Sequence, residues 1–184
     1  MATMVGILSD SHGQVERTRQ AIALLQQAGA SAFIHCGDVE EDAVLDTLAG
    51  LKSHVVLGNC DRAGPLARYA ERIGLDVQHP SGRITVDGKR IAFTHGDRPE
   101  LLQAAILERV DFLCHGHTHL RCDEMVQGVR VINPGALHAA VRIQLVATSR
   151  SCAAASKPAA SAAWAPPGRC CRRTAPPWRA VTCR

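Results

Sequence analysis

A chain of 184 residues, 46% hydrophobic and 21% charged, has the length of one domain and enough apolar residues for a buried core. Its net charge of +4 is a sum of opposites: residues 1–138 hold 13 Lys and Arg against all 17 Asp and Glu, whereas residues 139–184 hold 8 and none. Overall basicity is therefore no sign of a nucleic-acid face on the main domain, and so few aromatic residues offer no base-stacking platform.

The first elements alternate. An apolar run over 3–8 reads as a strand ending at Ser9-Asp10. Apolar residues at Val15, Ile22, Leu25 and Ala28 predict a helix over 14–28, stopped by Gly29. A buried strand follows over 32–35, then a helix over 40–51 with acids in its first turn, where the helix dipole favours them. A third strand covers 54–57. This alternation implies parallel pairing in an α/β sheet. The second half differs: a helix over 65–73, hairpins about Asp87-Gly88-Lys89 and Gln127-Gly128, a helix over 99–110 begun by Pro99, and a buried strand over 112–114. Val141, Ile143 and Leu145 alternate with Arg142 and Gln144, so 140–146 reads as one more strand with the apolar three on one face. The prediction is an α/β fold, a four-layer α/β/β/α sandwich of two packed mixed sheets. No apolar stretch approaches the roughly 18 residues of a membrane span. Met1 to Leu8 lacks the basic start of a secretion signal. The expectation is a cytoplasmic protein that keeps Cys36, Cys60, Cys114 and Cys122 as thiols.

Chemistry concentrates in five short segments, each after an apolar run: Asp10-Ser11-His12, Gly37-Asp38, Gly58-Asn59-Cys60-Asp61, His95-Gly96 and Gly116-His117-Thr118-His119. In α/β sheets the crevice beyond the carboxyl ends of strands is where distant segments converge. Two carboxylates, one carboxamide and four imidazoles make enough ligands for two divalent metals, and the mixture of hard oxygen and imidazole suits Mn²⁺, Fe, Zn²⁺ or Co²⁺ better than Ca²⁺. Taken singly, each residue has an ordinary reading: Asp10 in an Asx turn, Asp38 as a helix cap, Asn59 and Asp61 in a turn. His117 and His119, flanking one Thr after a strand, carry metal spacing on their own. His35, His54, His79, His115 and His138 show no partner and read as structural or solvated. Asn133-Pro134-Gly135-Ala136 is a turn.

In this order the five segments resemble the calcineurin-like metallophosphoesterase family, and Gly-Asn-Cys-Asp resembles its small bacterial and archaeal phosphodiesterase branch. The resemblance covers residues 4 to about 138. It implies that Asp10, His12 and His119 hold one metal, that Asn59, His95 and His117 hold the other, and that Asp38 bridges both. It implies two divalent ions about 3.5–4 Å apart, Mn²⁺ foremost with Fe, Zn, Co or Ni as alternatives, and a metal-activated hydroxide that attacks phosphorus. Asp38, Asn59, Asp61 and His95 are the implied catalytic set, with Asp61 orienting a ligand imidazole from behind. It also implies that the Asn133 turn steadies the Gly-His-Thr-His loop. Many relatives have His at the position of Cys60, where it assists the leaving group. A thiol with a pKa near roughly 8.5 is a poor substitute, which points to diesters or good leaving groups. The implied partner is a small phosphate ester, with no membrane and no nucleic acid indicated for the main domain. A phosphomonoesterase on the same site is one alternative. A non-catalytic scaffold, like the related subunit of the retromer coat, is another, against which stands the retention of all seven ligands.

Two segments follow: a domain over 1–147 and an irregular tail over 148–184, rich in Ala, Arg, Pro and Cys without periodicity. The tail reads as disordered or as sequence translated out of frame. Its Cys152, Cys170, Cys171 and Cys183 lack zinc-site spacing.

Overall fold

The alternating first half builds one sheet and the hairpins of the second half build another. The structure, a computed structural model, describes residues 2–138 and 144–148. The first sheet contains β1 (Met4–Leu8), β2 (Ala30–His35), β3 (Ser53–Val55), β4 (Asp76–Val77) and β10 (Gln144–Ala147) in the order β10-β1-β2-β3-β4. Its four sequential strands are parallel, and β10 lies antiparallel on β1. Between the parallel strands run α1 (Val15–Gln27), α2 (Asp42–Asp46) and α3 (Ala63–Arg72). The second sheet contains β5 (Ser81–Val86), β6 (Lys89–Thr94), β7 (Phe112–Cys114), β8 (Cys122–Val126) and β9 (Val129–Asn133) in the order β5-β6-β7-β9-β8. β6, β7 and β9 are parallel, and α4 (Pro99–Leu107) crosses from β6 to β7.

Two cores explain the layering. Ala21, Ile22 and Leu25 of α1, Val44 and Leu45 of α2, and Leu66 and Ala70 of α3 pack on Leu8, Phe33 and Val55 of the first sheet. On the opposite face Val5, Ile7, Ala32 and Ile34 meet Ile91, Phe93, Phe112, Cys114 and Ile132 of the second sheet. Side chains of alternate residues leave a strand on opposite faces, so β1 and β2, buried on both, must be apolar throughout. The expected two-sheet sandwich is what forms.

Both expected hairpins close through left-handed residues, Asp87 (φ 49°) with Gly88 and Gln127 (φ 50°) with Gly128, as two-residue turns require. Three local expectations need correction. The helix over 40–51 is only Asp42–Asp46, because Glu40 adopts φ 66° and the chain turns again after Asp46. The short strand β4 carries little apolar pattern and was not foreseen. In β10 it is Gln144 and Val146 that are buried, and Leu145 is only half-buried. Gln144 is accommodated because its amide bonds Arg121 (2.7 Å) and Asp123 (3.0 Å). Residues 139–143 lie outside the described residues, as does the tail expected over 148–184 apart from Thr148, whose amide donates to the Thr3 carbonyl (3.3 Å).

Candidate metal centre

Every predicted site residue follows the carboxyl end of a parallel strand. Asp10 and His12 follow β1, Asp38 follows β2, Asn59 follows β3, His95 follows β6, and His117 and His119 follow β7. Backbone hydrogen bonds tie these loops together: Asp10 N–H to Gly37 O (3.0 Å), His12 N–H to Asp38 O (2.9 Å) and Gly116 N–H to His95 O (2.8 Å). Asp10, His12, Asp38, His117 and His119 all have φ between 44° and 66°. Left-handed backbone costs a non-glycine residue on the order of 1 kcal/mol, and such strain persists where the surroundings enforce it. Here it turns five of the seven side chains inward. The approach is close enough to require glycine. A Cβ on Gly116 would lie 1.8 Å from Ser9 Oγ and 2.6 Å from Asp10 Oδ2.

The side chains converge. His12 Nε2 is 3.3 Å from His119 Nε2 and 3.6 Å from Asp38 Oδ2, and His119 Nε2 is 3.4 Å from Asp10 Oδ1. One ligand atom from each of Asp10, His12, Asp38 and His119 lies within 4.8 Å of the others. On the other side of Asp38, His95 Nε2 is 3.4 Å from its Oδ2 and 2.9 Å from Asn59 Oδ1, and His117 Nδ1 is 3.0 Å from the same Asn59 oxygen. The seven residues thus form two groups that meet at Asp38. Asp10, Asp38 and His95 form a buried floor, while Asn59 and Cys60 are exposed and His117 and His119 half-buried, so the site opens along that rim.

Neighbouring groups prepare the ligand atoms. His12 donates Nδ1–H to Glu40 Oε1 (2.7 Å) and His95 donates Nδ1–H to the Cys36 carbonyl (2.8 Å), because those partners only accept. Both rings then present Nε2 to the centre, the arrangement that fixes a metal-binding tautomer. Asp38 Oδ1 accepts from the Cys60 amide (3.0 Å), and Asp10 Oδ1 from the His117 amide (3.0 Å). Burial opposes charge on Asp38, yet contact with His95 holds its carboxyl down at about 2. Burial likewise opposes charge on His95, and Asp38 overcomes it, raising the imidazole to about 9. Asp10 is held below its ordinary value despite burial by His119 beside it. Asp10 Oδ2 is buried without a hydrogen-bond partner among the described residues.

Asp61 corrects an expectation. It bonds no imidazole; its oxygens accept from the Gly58 amide (2.7 Å) and the Glu40 amide (2.7 Å). It therefore fixes the backbone beneath Asn59 and the residue that orients His12. Burial raises its pKa in spite of these bonds. The Asn133 turn acts as expected: its Nδ2 donates to Gly116 O (2.8 Å) and Thr118 Oγ1 (3.0 Å). Sequence reasoning missed two neighbours. Glu40 stands two residues after Asp38, a spacing that was the only signal for it. His138, read as structural, packs its ring 4.8 Å from that of His12 and 4.7 Å from that of His119.

Known proteins resemble this chain in sequence and fold. The family model for the calcineurin-like phosphoesterase superfamily domain matches residues 4–151. Phosphodiesterase MJ0936 of Methanocaldococcus jannaschii is 28% identical over 137 residues, 71% of this chain and 82% of the relative. Probable metallophosphoesterase YsnB of Bacillus subtilis is 33% identical over 138 residues, 71% of this chain and 73% of the relative. Among solved structures, an archaeal phosphodiesterase superposes with a TM-score of 0.68 at 24% identity, covering 79% of this chain and 99% of that one. The phosphoesterase YfcE of Escherichia coli gives 0.59 at 26% identity, covering 73% and 80%. Vps29 of Chaetomium thermophilum gives 0.55 at 19%, covering 76% and 75%, a likeness of fold alone. Matched over most of its length by the family model, this chain belongs to the calcineurin-like phosphoesterase superfamily.

Proposed function

We propose that this chain is a metal-dependent phosphodiesterase acting on small phosphate esters, with Mn²⁺ its foremost metal and Fe, Zn, Co or Ni able to substitute. Convergence of seven donors from five loops about the Asp38 carboxylate carries the reading. The donor set fits cations: Asp10 Oδ2 is a buried oxygen without a hydrogen-bond partner among the described residues, and two Nε2 atoms face each other across 3.3 Å, which neutral imidazole lone pairs disfavour unless a cation or proton lies between. Asp10, His12 and His119 would hold one metal, Asn59, His95 and His117 the other, and Asp38 both. Divalent metals supply Lewis acidity to phosphoryl oxygens and lower the pKa of bound water.

The chain's own residues do the rest. Glu40 and the Cys36 carbonyl hold two imidazoles in the tautomer that presents Nε2. Asp61 and Asn133 hold the loops that carry Asn59, His117 and His119. A phosphate ester approaches over the exposed rim of Asn59, Cys60 and His119. Diesters are favoured because a thiol at Cys60 is a poorer proton donor to a poor leaving group than an imidazolium would be, and relatives named phosphodiesterase match 71% and 70% of this chain. Buried thiols at Cys36 and Cys114 suit the reducing cytoplasm. Purified protein with Mn²⁺ is expected to cleave an aryl phosphodiester faster than the matched monoester. EDTA or Asp38→Asn should remove at least about 99% of that rate, in keeping with the several kcal/mol that metals contribute. A faster monoester reaction, or a rate indifferent to EDTA, would overturn the reading.

A further inference from the structure

We propose that His138 is an eighth metal ligand, adding a third imidazole to the cation held by Asp10, His12 and His119. The proposal rests on the metal-centre reading above and goes beyond it, because the seven residues of that reading leave His138 without a role.

The loop after β9 is tied onto the site. The Leu137 amide donates to Ser9 O (3.2 Å), the His138 amide donates to Asp10 O (3.2 Å), and the Arg17 guanidinium donates to the His138 carbonyl. These bonds place the ring against both neighbouring ligands, edge-on to His12 at 84° and to His119 at 69°. One ring nitrogen from each of His12, His119 and His138 lies within 4.8 Å of the other two. His138 Nδ1 is shut from solvent and has no hydrogen-bond partner among the described residues. A polar atom that gives up water without a partner is a net cost. Among the described residues no carboxylate of the centre is hydrogen-bonded to this ring, so packing alone leaves that cost standing, whereas a cation among the three rings would give the ring a partner.

The consequence is selectivity. Four donors from Asp10, His12, Asp38 and His119 divide evenly between oxygen and nitrogen. A third imidazole shifts that site toward Zn²⁺, Co²⁺ or Fe and away from Mn²⁺, which prefers oxygen. The two sites of this chain would then differ in the metal they hold best.

Long-range ¹H–¹⁵N NMR of the histidine rings, recorded on the metal-free full chain titrated with Zn²⁺, tests this without mutation. The expected result is that ring nitrogens of His12, His119 and His138 shift together at the same Zn²⁺ equivalent. A His138 ring that stays unshifted while His12 and His119 move overturns the proposal and leaves the metal centre intact. No shift in any of the three overturns both. Co²⁺ titration followed by visible absorption adds a second readout on His138→Phe, which keeps an aromatic ring, and His138→Gln. At least about tenfold weaker Co²⁺ binding at one site and an altered spectrum are expected, against unchanged Mn²⁺ binding at the other. Wild-type Co²⁺ affinity and spectrum in either variant would overturn the proposal.

Discussion

Gly58→Ala perturbs the centre through space alone. A Cβ at this position would sit 2.1 Å from Asp38 Oδ1, 2.6 Å from Asp38 N and 2.8 Å from His95 Cε1. The contact with the Asp38 amide is with backbone, so no rotamer change relieves it. Overpacking in a filled site costs about 1–3 kcal/mol, and rigid backbone argues for the upper end. For a chain of this size about 3 kcal/mol lowers Tm by roughly 6–12 °C. The Asp38 carboxylate, proposed to be shared by both metals, must also move, so Mn²⁺ affinity should fall at least about tenfold, as it does when metal-ligand supports are lost. Gly88→Ala is the comparison. Nothing lies within 4 Å of its Cβ, but its φ is +75°. It should cost about 1–2 kcal/mol in left-handed strain and leave metal affinity untouched. Melting curves in EDTA and calorimetric Mn²⁺ titration of the folded variants separate the effects. If Gly58→Ala bound Mn²⁺ as tightly as Gly88→Ala, the close packing of Gly58 on Asp38 would not matter to the centre, and the reasoning would be wrong.

Glu40→Ala removes the acceptor that holds Nδ1–H of His12 (2.7 Å) and should weaken metal binding by roughly 10–100-fold. Glu40→Gln, whose amide oxygen still accepts, should recover part of that in the same titration. His35 gives a pH dependence. It is fully buried, its Nδ1 accepts from the Gly37 amide (3.2 Å), and its Nε2 has no hydrogen-bond partner among the described residues, so burial pushes its pKa down to about 4. Because the folded value lies below the unfolded value of about 6.5, the unfolded chain binds the proton first. The contribution is complete above about pH 6.5 and is lost as pH falls toward 4, by about 3 kcal/mol in all. Urea unfolding in EDTA at pH 7.5 and pH 4.5 should show this loss in the wild type and little of it in His35→Gln. Equal losses in both would place the acid sensitivity elsewhere.

Much of the architecture was legible because the local signals agreed with the tertiary result. Apolar runs at Val5–Leu8 and Phe33–Ile34 mark strands buried on both faces, and Asp87-Gly88 and Gln127-Gly128 carry the turn chemistry of hairpins. The seven candidate site residues were legible because each follows such a strand. What escaped was set by tertiary context. Glu40 looked like the first residue of a helix, yet the bond from its amide to Asp61 and its left-handed backbone turn it toward His12. Asp61 looked like an imidazole partner, but two backbone amides reach it first. Gln144 looked solvent-facing because alternation cannot reveal that Arg121 and Asp123 await it on the buried side. His138 gave no signal, since its position against His12 depends on the bonds of its loop to Ser9 and Asp10.

Anomalous diffraction at the manganese edge from crystals saturated with Mn²⁺, enough to fill even a site that prefers another metal, tests the central claim most directly. Two anomalous peaks are predicted, one among Asp10, His12 and His119 and one among Asn59, His95 and His117, with Asp38 bonded to both. A single peak, peaks away from these residues, or an Asp38 that touches neither would contradict the account.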